Sequence, residues 1–257
     1  MSEPTPVRDA ATVVLLRDGV DGVEAWLLTR VSQMAFAPNM TVFPGGRIDA
    51  ADHELPIAGD VDALATRLDC PVETARALVG GAVREVFEET GVLLTVPAGE
   101  PRVDLAAART EVELGTVSFG DLLREHGLRV DAGALRPWAR WVTPAGEVRR
   151  YDTRFFVGAL PAGAEARDVT SESSEASWVG VGAALAQAER GERQMLPPTV
   201  ATLAALRPFA TVAEALAASA GRSMAPVRPT LRLGEDGSVA VELPDGTLAP
   251  IPRSMLP

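Results

Sequence analysis

The chain has 257 residues, 47% hydrophobic and 23% charged, enough to bury a sizeable core and too apolar for a disordered chain. Its net charge of −11 argues against nucleic acid or an anionic membrane as partner, because little positive surface is left to neutralise phosphates. One cysteine, Cys70, excludes an intramolecular disulfide, and two isolated histidines, His53 and His126, do not make a zinc site. The polar start, MSEPTPVRD, lacks the basic-then-apolar order of a signal peptide. No apolar run approaches the roughly 20 residues of a membrane span. A soluble cytoplasmic protein is expected. All 24 lysine-or-arginine positions are arginine, so a lone arginine carries little functional weight here.

In chain order, ATVVLL (Ala11 to Leu16) and EAWLLTRV (Glu24 to Val31) read as strands, with hairpin turn chemistry in the DGVDG between them. MTVF (Met40 to Phe43) is a short third strand that stops at PGG, and RIDAADHELPIAGD reads as a loop. DALATRLD is a short helix. The segment CPVETARALVGGAVREVFEETG predicts one long helix, with Pro71 suited to its start and Gly91 to its C-cap. Val79, Ala82, Val83, Val86 and Thr90 form its buried stripe. VLLTV starts an extended segment, and SFGDLLREHG is a short helix. ARWVTP and DTRFFVGAL are paired strands, and SWVGV is a further strand. GAALAQAERG, PPTVATLAALRPF and TVAEALAASAG are helices, and PTLRLGEDGSVAVELPDG has the alternation of a β-hairpin. The mixture lacks regular βαβ order, which predicts an α+β fold or three-layer sandwich. Residues 1–220 are expected to form the main domain and 221–257 a C-terminal extension.

The chemistry lies in REVFEETGV, Arg84 to Val92. On a helix, Glu85, Glu88 and Glu89 share a face at i, i+3 and i+4, where like charges repel by ~0.2–0.5 kcal/mol per pair. A hard divalent cation would reverse that sign, and Mg²⁺ takes oxygen ligands together with substrate phosphates. Arg84 can hold one carboxylate by a two-pronged ion pair. Upstream, FPGG (Phe43 to Gly46) offers backbone that approaches a ligand closely.

These residues resemble the Nudix hydrolase signature, G-x5-E-x7-R-E-U-x-E-E-x-G-U, with U a bulky aliphatic. Arg84 to Val92 fits its second half at every specified position. In the first half, Gly46 is followed six residues later by Asp52 where the family has Glu. An insertion of more than twenty residues, at about 52–72, then separates it from Arg84. Asp52 is accordingly not counted among the site residues. The split box, with LLTRVSQMAFAPNM before it and WVTPAGEVRRYDTRFFVGAL after it, resembles the coenzyme A diphosphatase-like branch. Phe36 and Met40 stand where that branch's coenzyme A motif has arginine and glycine.

The resemblance implies a Nudix fold, an α/β/α sandwich around a mixed sheet, and Mg²⁺- or Mn²⁺-dependent hydrolysis of a nucleoside diphosphate derivative. It implies that Glu85, Glu88, Glu89 and the Gly46 carbonyl hold metal and that Arg84 orients a glutamate. The general base is expected on a loop before a tryptophan strand, where TSESSEASWV offers Glu172 and Glu175; Glu172, six residues before Trp178, is the choice. Arg30 and Arg47 are candidates for phosphate contacts and Phe36 for stacking on adenine. The expected substrate is coenzyme A or an acyl ester. ADP-ribose, a dinucleotide or another nucleotide is the alternative, and a non-catalytic Nudix-fold module the third reading. A homodimer is compatible with the sequence.

Overall fold

The computed structural model describes residues 6–31, 38–97, 104–145, 147, 149–167, 173–233, 239–242 and 248–250. It opens with a hairpin of β1 (Val7–Gly19) and β2 (Gly22–Arg30), followed by β3 (Thr41–Val42) and β4 (Gly45–Arg47). A 3-10 helix at Ala50–Glu54 and β5 (Ile57–Ala58) lead to α1 (Val61–Leu68) and the long α2 (Val72–Thr90). Next come β6 (Thr95–Val96), α3 (Leu105–Glu113), α4 (Phe119–Glu125) and β7 (Arg129–Asp131). The antiparallel pair β8 (Arg136–Val142) and β9 (Arg150–Ala159) precedes β10 (Ser173–Gly180), α5 (Val181–Glu189), α6 (Pro197–Leu206) and α7 (Val212–Ala218). Three short strands close the chain: β11 (Thr230–Leu233), β12 (Val239–Glu242) and β13 (Leu248–Pro250).

The main sheet has the order β10-β2-β1-β9-β8, with β3 on β2 and β4 on β1. It is mixed: β1 and β9 run parallel over ten register pairs, and the other pairings are antiparallel. Strand β1 shows why the sheet is a middle layer. Val13 and Leu15 join the core shared with α1 to α4, and Val14 and Leu16 join the core shared with α5 to α7. A strand buried on both faces reads as a continuous apolar run, as VVLL does. Trp138 and Trp141, core residues as their sequence context suggests, fall on the α6 and α7 side. The result is a mixed α+β, three-layered architecture. Among the described residues no helix is long and apolar enough to cross a membrane.

Several local expectations change. Strand β3 stops before PGG as expected, but the glycines open a further strand, Gly45–Arg47 on β1, with Ala11 opposite Gly46. The segment expected to be a loop carries the 3-10 helix, where Asp52 turns back to accept from the Asp49 N–H at 2.8 Å, and β5, which pairs with β7. Helix α3 was not apparent in the sequence; Asp104 starts it by accepting from the Ala106 and Ala107 N–H groups. The VLLTV segment is a strand only at Thr95–Val96, and SSEASW belongs to β10 from Ser173 onward. The terminal hairpin gains a third strand, β13.

Helix α2 organises the site side of the molecule. Val79, Ala82, Val83, Val86 and Thr90 are fully buried along one stripe, and Gly91 caps the helix at φ 75° while donating to the Phe87 carbonyl. The GG in the middle of this helix is there for contact. A Cβ on Gly80 would lie 2.8 Å from the Asp52 carbonyl oxygen and 2.9 Å from Leu55 Cδ1. Alanine is the better helix former by ~1 kcal/mol, but forcing a methyl into a packed contact costs ~1–3 kcal/mol. The Gly80→Ala protein should therefore unfold at lower urea concentration than wild type. A higher midpoint would show that the 3-10 helix yields freely.

Candidate active site

The site forms where the last two turns of α2 cross β4. Gly46 leaves room for the Glu85 carboxylate: a Cβ there would come within 2.4 Å of Glu85 Oε1 and displace it. Its neighbour Gly45 donates its N–H to Glu89 Oε2 at 2.9 Å. Strand and helix therefore meet through backbone and carboxylates, without intervening side chains.

Arg84 sits at the centre and uses all five of its N–H donors. Nε and Nη2 grip Asp52 at 2.8 and 3.1 Å, and Nη2 also donates to the Arg47 carbonyl at 3.1 Å. Nη1 donates to Glu85 at 2.9 Å and to Glu88 at 3.3 Å. The two-pronged pair is thus made with Asp52, which is 0% exposed, while Nη1 is shared between Glu85 and, at longer range, both oxygens of Glu88. Glu89, 6% exposed, turns toward Gly45.

The electrostatics follow from four carboxylates around one guanidinium. Burial pushes the Glu85 carboxyl up to about 7; Arg84 pulls it down, and the charge on Glu88 adds to the rise. Burial raises Glu88 as well, against Arg84. Burial alone would lower Arg84, but the bond to Asp52 and the surrounding carboxylates hold it further in its charged form. Negative charge is in excess at this spot. Hard oxygen donors in excess of cations, with no imidazole or thiolate, suit Mg²⁺ or Mn²⁺ and not zinc. Among the described residues no three His, Cys, Asp or Glu side chains already converge as a metal cage. Arg84 Nη1 occupies Glu85 and Glu88 while Glu89 is held by Gly45.

The family model of the NUDT19 Nudix domain matches residues 63–206, more than half of the chain. This chain belongs to the Nudix hydrolase family, in its NUDT19 branch. The acyl-coenzyme A diphosphatase NUDT19 of Gallus gallus is 31% identical over 209 residues, covering 60% of this chain and 55% of that protein. The protein of the same name from Xenopus laevis is 26% identical over 272 residues, covering 88% of this chain and 71% of its own. The chain therefore spans about half the length of the chicken relative. A solved Nudix hydrolase from Alicyclobacillus acidocaldarius superposes with a TM-score of 0.71 at 29% identity, covering 86% of this chain and 99% of that one. Its likeness supports the α/β/α sandwich.

Within this Nudix fold, Arg84, Glu85, Glu88, Glu89 and Gly46 are brought together. Asp52, set aside because the insertion breaks the box spacing, is brought in with them and carries the strongest contact to Arg84. The insertion leaves the box after Asp52 and returns through Pro71, so the spacing lost in the chain is recovered in space. Arg47 reaches the site by its carbonyl; its guanidinium, 52% exposed, pairs with Asp49 at 2.6 Å. Arg30 ends β2, where its N–H donates to the Met40 carbonyl at 3.0 Å, on the approach to β3. Glu175 is exposed on the edge strand β10, not on a loop. Glu172 and Phe36 lie outside the described residues. Burial pushes the lone thiol of Cys70 up, away from nucleophilic thiolate character. Sequence reasoning also passed over Arg109, whose Nη1 donates to the Glu88 carbonyl at 2.8 Å. No motif marks it, since it lies on a helix the sequence pattern did not reveal.

The raised Glu85 carboxyl makes a signed prediction. Between its ordinary value of 4.5 and about 7 the folded state binds more protons than the unfolded state. By linkage, metal-free stability should fall as pH rises through that window and level off above it. Urea unfolding in chelator from pH 5 to 8 should show this slope, reduced in Glu85→Gln. An equal slope in the variant would assign the effect to another group.

Proposed function

We propose that this chain is a Mg²⁺- or Mn²⁺-dependent diphosphatase that hydrolyses coenzyme A or its acyl esters to 3′,5′-ADP and phosphopantetheine or its acylated form. The observation that carries this reading is a carboxylate surplus: Asp52, Glu85 and Glu88 share the one Arg84 guanidinium, and Glu89 lies on the same helix turn against the Gly45 N–H. A binding module without turnover has no reason to maintain such mutual repulsion. The chicken and frog relatives named acyl-coenzyme A diphosphatases support the substrate class.

In this reading Glu85, Glu88, Glu89 and the Gly46 carbonyl hold the metal. When bound, it supplies positive charge to the diphosphate oxygens and lowers the pKa of an attacking water. The protein's own part is placement. Asp52 fixes Arg84, and Arg84 fixes Glu85 and Glu88, so the acids are ordered before substrate arrives, when ordering would otherwise lower the rate. Glu172 is proposed as the general base that takes the water's proton. Arg30 and the exposed guanidinium of Arg47 are proposed to meet substrate phosphates, and Phe36 to stack on adenine.

Coenzyme A carries a 3′-phosphate that ADP-ribose and 3′-dephospho-coenzyme A lack. An arginine left unpaired by its loss is worth about 1–3 kcal/mol of discrimination. Assays with Mg²⁺ and product identification should give kcat/KM for coenzyme A about tenfold or more above the dephospho form. Equal values, or a preference for ADP-ribose, would discard the coenzyme A substrate and keep the diphosphatase chemistry.

The base assignment has its own measurement. Glu172→Gln should stay folded and lose about 10²-fold or more in kcat, the usual scale for a general base. A larger loss in Glu175→Gln would move the base onto the β10 edge.

A further inference from the structure

The catalytic glutamates lie at the wrong end of a helix. Glu85, Glu88 and Glu89 occupy the last two turns of α2, where the helix dipole is negative and anions are disfavoured. The last turn of α2 carries no basic residue of its own. Its final carbonyls also lack intrahelical partners. Phe87 O accepts from the Gly91 N–H at 2.8 Å, and Thr90 O accepts from the Arg167 N–H at 3.0 Å. Between them, Glu88 O accepts from the side chain of Arg109 at 2.8 Å.

Arg109 comes from α3, is 7% exposed, and pairs with Glu113 one turn on at 3.0 Å. Its position is therefore set from both sides: a carboxylate of its own helix and a carbonyl of the catalytic one. Its bonds among the described residues are to the Glu88 carbonyl and to Glu113. Because Glu113 offsets its charge, its effect on the site is one of geometry more than of field.

We infer that Arg109 is a positioning residue, holding the Glu88 carbonyl so that the last turn of α2 presents Glu88 and Glu89 in a fixed relation to β4. This rests on the reading of the site as a cation-dependent diphosphatase. Arg109 then sets the affinity of that turn for a divalent ion and leaves the chemical step, once the ion is held, nearly untouched.

The test uses the full chain, Mn²⁺ as probe, calorimetry for affinity, and thermal unfolding in chelator for stability. In Arg109→Gln the Mn²⁺ Kd should rise about tenfold, the lower end for loss of an outer partner of metal ligands, while kcat at saturating Mn²⁺ stays near wild type. Arg109→Lys should lose less, because Nη1 alone makes both contacts and an ammonium can stand in for that nitrogen, though without the planar guanidinium that fixes its direction. An unchanged Kd with a lowered Tm would make Arg109 merely structural and overturn the inference. Tighter Mn²⁺ binding would also overturn it, since removal of a repelling charge would then be the larger effect. Should Arg109→Gln not fold, Arg109→Lys decides: weakened binding supports the inference and wild-type affinity overturns it. Absence of Mn²⁺ binding by the wild-type chain would instead sink the diphosphatase reading, and the inference with it.

Discussion

The buried ion pair between Arg84 and Asp52 is the contact on which the site depends. Asp52 accepts three hydrogen bonds, two from Arg84 and one from the Asp49 N–H, and is sealed from solvent. A buried pair of this kind adds little net stability, but removing one partner strands a charge at a cost of ~3–5 kcal/mol. That asymmetry makes the pair a register device. It locks the 3-10 helix to α2, places the Arg47 carbonyl under the same guanidinium, and leaves Nη1 free to gather Glu85 and Glu88.

The glycines at this junction serve the same end from the other side. Gly80 lets the Asp52 backbone lie against α2, and Gly46 lets β4 lie against Glu85. Each contact replaces a side chain with direct backbone approach, so the acids are held at short range by elements that have little room to move. A rigid array of like charges is costly to the metal-free protein. The Glu85 carboxyl is raised first by burial and then by the charge on Glu88, and a bound cation would offset both.

The insertion does more than interrupt the box. Arg67, near the end of α1, donates to the carbonyls of Ser219 and Arg222. Just beyond, Arg222 stacks on the Trp138 ring with 4.5 Å to its centroid, and Val227 exchanges backbone bonds with Arg140 and Val142 of the edge strand β8. The segment after α7 thereby covers an otherwise open sheet edge, a standard protection against unwanted strand pairing. Met224 continues into the core on the α2 side. Insertion and C-terminal segment thus share one anchoring residue, far apart in the chain and adjacent in the fold.

Local signals in the chain determined a good deal. The 3.6-residue stripe of α2, its Gly91 cap and the two-faced run VVLL depend only on neighbours a few residues away, where periodicity and capping act. The REVFEETGV segment likewise names its own chemistry, because i, i+3 and i+4 spacing on a helix is a local property. What the tertiary structure alone decided were contacts that close long loops. Asp52 meets Arg84 across the insertion, Arg109 reaches Glu88 from a helix whose pattern is weak, and Arg67 reaches a segment some 150 residues away. Such pairings leave no periodic trace, since the partners are chosen by packing of whole elements and not by spacing. The box spacing shows the difference most plainly: broken in the chain by the insertion, it is restored in space because Gly80 and Gly81 let the detour fold back onto α2.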